Sequence, residues 1–147
     1  MRRALGLLVL AAACGWLLYT QVYETGRAHA LHWRDLTAAV GPLRFAKPAK
    51  KVFTSRGSLA AYLERHAPAV DFRRREAVLV ALGPRSSTGY ALRIVRVTER
   101  RGSILVVAHE RTPSLSDPVR ARVTYPYRLI TLPKIDKPVH LELEGRP

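Results

Sequence analysis

Six apolar residues in a row, Ala77-Val78-Leu79-Val80-Ala81-Leu82, end abruptly at Gly83-Pro84. The run is short for a helix and has no polar side, which predicts a central strand buried on both faces. Such a strand needs neighbours, and the sequence supplies them. Tyr90–Thr98 and Ser103–Arg111 are rich in β-formers and separated by Glu99-Arg100-Arg101-Gly102, the pattern of a hairpin. Arg122–Leu132 is similar but contains Pro126, which predicts an edge strand or a bulge. Val139–Glu144 alternates apolar and polar residues, so one face should be buried and the other wet. Val52-Phe53-Thr54 suits a first strand.

One helix stands among these strands. Ser58 is an acceptable N-cap for Leu59–Ala67, where Leu59, Tyr62, Leu63 and His66 share a face, and Pro68 stops the run. The apolar fraction of 48% suffices for a real core. The expected fold is therefore mainly β (α+β). It is a compact antiparallel sheet or sandwich with one short helix, over residues 51–147. Residues 24–50 read as a juxtamembrane linker. Within it Trp33–Val40 predicts two helical turns ended by Gly41-Pro42, and Lys47–Lys51 a basic extended stretch.

Residues 1–23 set the expected location. Arg2 and Arg3 precede an uncharged run from Ala4 to Tyr23, and a bilayer core needs about 20 mostly apolar residues. The two arginines hold the amino terminus inside, while Trp16, Tyr19 and Tyr23 gather at the far end, where aromatic rings favour the interface. An N-terminal transmembrane helix acting as an uncleaved signal anchor fits best. Residues 4–23 then contact the lipid bilayer, and the C-terminal domain lies outside the plasma membrane. Two alternatives use the same residues: a cleaved signal peptide ending at Ala11-Ala12-Ala13, or a lipoprotein acylated at Cys14. All three readings export the domain.

Twenty of the 25 Lys+Arg residues are arginine, and the formal charge is +14. Such a charge makes anionic lipid head groups plausible neighbours. Nucleic acid is not expected: the aromatic fraction is 7%, no recognition module is evident, and export removes most nucleic acid from reach. One cysteine excludes a disulfide framework and a Cys-rich zinc site. His29 and His32 are spaced for one helical face but lack a third ligand, so no metal site is expected. The serines of Gly83–Gly89 form no nucleophile elbow, and no P-loop or dinucleotide fingerprint occurs. Neither a cofactor nor an enzymatic activity is expected.

Four segments form a pattern together. Val70-Asp71-Phe72, Glu76–Gly83, Ser87-Thr88-Gly89-Tyr90 and Val123–Ile130, the last containing Thr124-Tyr125-Pro126-Tyr127, resemble the PrcB C-terminal domain family in order and spacing over roughly residues 51–140. Ser87-Thr88-Gly89-Tyr90 stands where that family carries Thr-Gly-Gly-Tyr. The resemblance implies an exported, often membrane-attached domain without catalysis, binding or assembling with another protein of the cell envelope. On that reading Ser87, Thr88, Gly89, Tyr90, Tyr125, Pro126 and Tyr127 meet the partner. On the plainer one, Thr88-Gly89-Tyr90 is a tight turn leading Tyr90 into the core, and Tyr125-Pro126-Tyr127 blunts a sheet edge. The Thr-Gly-Tyr loop is also similar to that of chagasin-type inhibitors, which makes inhibition of an exported peptidase the alternative function. Their Gly-rich and Arg-Pro-Trp loops have no counterpart here.

Overall fold

The computed structural model describes residues 28–145, and the segment expected to cross the bilayer lies outside them. Among the described residues no helix is long and apolar enough to span a membrane. In chain order the elements are β1 (His29–Ala30), β2 (Arg34–Asp35), α1 (Thr37–Val40), β3 (Ala49–Phe53) and α2 (Arg56–Leu63), which tightens into a 3-10 turn at Glu64–His66. They continue with β4 (Arg75–Ala81), β5 (Arg85–Ser87), β6 (Ala91–Arg100), β7 (Ser103–Arg111), β8 (Ala121–Thr124), β9 (Tyr127–Pro133) and β10 (Val139–Glu144). One sheet has the order β1-β6-β7-β10 and a second the order β2-β9-β4-β3, while β5 and β8 form a separate ribbon. β10 runs parallel to β7; every other pairing is antiparallel.

Strand β4 explains the layering. Its side chains alternate in direction, and both sets are buried. Val78 and Val80, with Leu82 just beyond, join Ile130 and Leu132 of β9 against Leu92, Ile94, Val97, Ile104 and Val106 of the other sheet. Ala77, Leu79 and Ala81 face the opposite way, onto Leu59 and Leu63 of α2, Phe53 and Val40. The second sheet thus lies between the first sheet and a helical layer, and a strand at its centre must be apolar throughout. Gly83 ends this run at a positive φ of 74°, and a Cβ there would lie 3.0 Å from the Pro48 backbone nitrogen.

Several expectations change in detail. The helix begins at Arg56 and not Leu59, because Ser55 is the N-cap, its hydroxyl accepting from the Ser58 amide at 3.2 Å. It ends at Leu63, before Pro68 is reached, where the chain turns through Glu64 at positive φ. Only Thr37–Val40 of the expected Trp33–Val40 helix is helical, since Arg34 and Asp35 pair with Thr131 and Ile130 of β9. Residues 28–50, read as a linker, contribute β1, β2, the first two residues of β3 and the buried Val40. Arg122–Leu132 is two strands, and the edge expected at Pro126 is a break instead. Pro126 stands between β8 and β9, clear of the ladders, and its carbonyl accepts from the Leu82 amide at 3.0 Å. β9 itself is an interior strand.

One buried group works against the fold. Glu76 of β4 is 4% exposed, and its Oε1 has no hydrogen-bond partner. Burial raises its pKa, with Lys134 opposing. A carboxyl whose folded pKa is raised favours folding while protonated and loses that contribution as pH climbs through the folded value. Glu76→Gln is therefore expected to stabilise the domain at pH 7, by about 1 kcal/mol, and to lose that advantage near pH 4. Thermal melts at both pH values check it; an equal gain at both would mean that ionisation is not the cost.

Candidate functional site

The ribbon of β5 and β8 brings together two segments that lie far apart in sequence. Arg85 pairs with Thr124 and Ser87 with Ala121, with a shift of register between them. The Thr124 hydroxyl donates to the Ser87 carbonyl at 2.8 Å. Beyond the ribbon, the Thr88 amide donates to the Arg120 carbonyl, and the Arg120 amide donates to the Thr88 hydroxyl, both at 3.1 Å. Ser87-Thr88-Gly89-Tyr90 and Thr124-Tyr125-Pro126-Tyr127 are thus neighbours, joined through side chains and backbone alike.

Their surfaces differ in use. Thr88 spends its amide and hydroxyl on Arg120. Gly89 is not in the left-handed region, contrary to the conformational role expected of a turn glycine. Its reason is space: a Cβ there would lie 2.4 Å from Val119 Cγ1 and 2.5 Å from Pro113 Cβ. The loop between β7 and β8 closes over it. That loop is itself pinned, since Asp117 Oδ2 accepts from Arg111 Nη2 at 2.7 Å and from the Ser114 amide at 3.0 Å. The Ser114 amide, with Arg111 beside it, holds the Asp117 carboxyl below its ordinary pKa. Tyr90 is half-buried, with the Arg85 guanidinium 5.9 Å from its ring centre.

Tyr127 sits in the core. It is 6% exposed, meets the Phe45 ring edge-on at 5.3 Å and donates its hydroxyl to the Gly41 carbonyl. Tyr125 and Pro126 remain at the surface. Both line a cleft of about 670 Å³ with Asp35, Ala38, Pro42 and Arg128, and Tyr125 also lines an adjoining cleft of about 830 Å³ with Arg44, Arg122 and Val123. The two share Pro42, Tyr125 and Tyr127. Asp35 and Arg128 are 3.7 Å apart across the first. Val123 is 55% exposed, and Leu115, at the tip of the covering loop, is fully exposed. The surface lining these clefts can therefore offer an aromatic ring, the aliphatic Val123 and arginines, the combination found in protein contacts.

Arg44, Arg122 and Val123 are not among the contact residues expected from the sequence, because nothing in their spacing marks them as one surface. Only the topology places Arg44, ahead of β3, beside Arg122 of β8. Among the described residues, no three His, Cys, Asp or Glu side chains come together as a metal site.

In comparison with known families, residues 77–133 match the family described as PrcB C-terminal. The matched stretch runs from within β4 to the end of β9 and contains both motifs. It is narrower than the span of residues 51–140 over which the resemblance was read. No curated protein and no solved structure matches the chain.

Proposed function

We propose that this chain, whose residues 77–133 match the PrcB C-terminal family, is a non-catalytic domain of the cell envelope that binds another protein. The observation that carries this reading is the ribbon: it joins the two family segments and ends on the half-buried Tyr125, which lines two clefts. Residues 4–23 anchor the domain to the membrane from outside, and the +14 charge draws it toward anionic head groups. The contact is centred on Tyr125, Val123 and Arg122, with Tyr127 supporting them from below.

The inhibitor reading needs a Thr-Gly-Tyr loop that projects into a peptidase cleft. Thr88 is tied to Arg120, and Gly89 is covered by Pro113 and Val119. These restraints favour the protein-binding reading.

The test is recovery of the partner with the full-length chain, cross-linked in membranes and purified in mild detergent. Tyr125→Ala is expected to reduce recovery by tenfold or more, since truncating an aromatic hot spot costs ~2 kcal/mol or more of affinity. The melting temperature should barely change, because the ring is not part of the core. Unchanged recovery of a specific partner would sink the assignment of this surface.

A further inference from the structure

A different strand carries a second binding surface. β3 closes the second sheet: it pairs with β4 along one side and, among the described residues, with no strand along the other. A cleft of about 510 Å³ follows the open side. Four consecutive β3 residues, Lys50–Phe53, line it together with Ser58, Ala61 and Tyr62 of α2. Successive residues of a strand point to opposite faces. A space that touches four in a row therefore runs along the backbone edge. A second cleft of about 540 Å³ continues it past Arg44–Lys51.

The charge of this trough has one sign. Arg44, Lys47, Lys50 and Lys51 line the two clefts, and no carboxylate does. Among the described residues none of the four is in an ion pair. Its floor is aromatic: Tyr62, 36% exposed, stacks on Phe45 at 6.4 Å and lies under the Lys51 ammonium at 4.7 Å.

Lysines on an edge strand commonly guard against unwanted pairing. Here they guard selectively. A second copy of the chain would bring Lys50 and Lys51 against their like, and like charges directly opposite one another are unfavourable. An acidic strand would find four uncompensated cations, an aromatic floor and a row of free backbone groups.

We propose that β3 accepts an extended acidic segment of another protein as an added strand, through backbone hydrogen bonds and the cations of the trough. Recognition of this kind takes affinity from the main chain and selectivity from alternate side chains. It meets the Tyr125 surface only at Arg44, which lines a cleft of each, and its other cations lie on or just before β3.

The experiment titrates the full-length chain, in micelles of a neutral detergent, into a fluorescent ten-residue peptide of alternating threonine and glutamate. Anisotropy should report saturable binding that weakens as salt rises. The same peptide with its six central amides N-methylated keeps every charge but loses its donors, and is expected to bind at least tenfold more weakly. A threonine–lysine peptide should not bind. Lys50→Glu with Lys51→Glu should weaken binding about tenfold while the circular dichroism spectrum stays unchanged, since both side chains are exposed. Equal binding of the methylated peptide overturns strand addition, and equal binding of the lysine peptide overturns the charge argument. Failure of the acidic peptide, with or without binding of a soluble short-chain phosphatidylglycerol, overturns the proposal entirely. None of these failures touches Tyr125→Ala, whose own failure would leave β3 unaffected.

Discussion

Tyr127→Ala is expected to cost about 3–5 kcal/mol, a large part of the 5–15 kcal/mol that typically holds a domain together. The ring is buried between Phe45 and the outer face of the second sheet, among Val40, Leu59, Leu79 and Leu129. Its hydroxyl also fixes the chain after α1: it donates to the Gly41 carbonyl, with the Thr37 carbonyl at 3.4 Å. Removing the ring leaves a void and two carbonyls without their donor. Tyr127→Phe removes the hydroxyl alone and is expected to cost about 1 kcal/mol.

Alkaline pH separates the two contributions further. Burial raises the Tyr127 pKa, with Asp35 adding and Arg128 opposing. A phenol whose folded pKa is raised contributes stability that is complete below its ordinary range and lost as pH rises through the folded value. Wild type should therefore lose stability faster than Tyr127→Phe above about pH 10. Urea melts of the three proteins check this. A Tyr127→Ala protein within about 1 kcal/mol of wild type, but deficient in partner recovery, would return Tyr127 to the binding surface.

Tyr127 also shows where the sequence could be read and where it could not. Period and composition exposed the strands: Ala77–Leu82 is buried on both faces, Ser103–Arg111 is strand β7 to the residue, and Val139–Glu144 has one apolar face. The family likeness, too, was visible in the residues and is matched over 77–133. A two-residue strand has too few residues for a period, so β1 and β2 were lost in what looked like a linker. Tyr125-Pro126-Tyr127 was legible as a motif but not as two opposite environments. Flanking one proline, the two tyrosines divide between surface and core because the chain leaves the ribbon there and enters an interior strand. Gly89 was legible as a needed glycine, but its cause is the loop packed over it. That contact joins Gly89 to Pro113 and Val119, beyond the reach of local spacing.

The buried pair of Arg85 and Glu110 had no sequence signal at all, yet Arg85→Ala is expected to be nearly as damaging as the loss of Tyr127. Arg85 Nε and Nη2 donate to the two oxygens of Glu110 at 2.6 and 3.0 Å, and Nη1 donates to the carbonyls of Leu82 and Pro84 at 2.9 and 3.2 Å. Glu110 is 8% exposed. A two-point pair with both carboxylate oxygens satisfied is the geometry in which burial of the charges is best compensated. Taking away the arginine strands the carboxylate, and breaking a buried pair from one side costs about 3–5 kcal/mol. Arg85 is partly open to solvent, so the lower end, about 3 kcal/mol, is the expected loss. Replacing both partners, as Arg85→Met with Glu110→Leu, removes the charges together and should recover much of that loss. The pair also joins the start of β5, which leads into Ser87-Thr88-Gly89-Tyr90, to the end of β7. Melts of the two single variants and the double variant decide the matter. If the double variant is no more stable than Arg85→Ala, the stranded charge is not the source of the loss, and the contacts of Arg85 with Leu82 and Pro84 carry it instead.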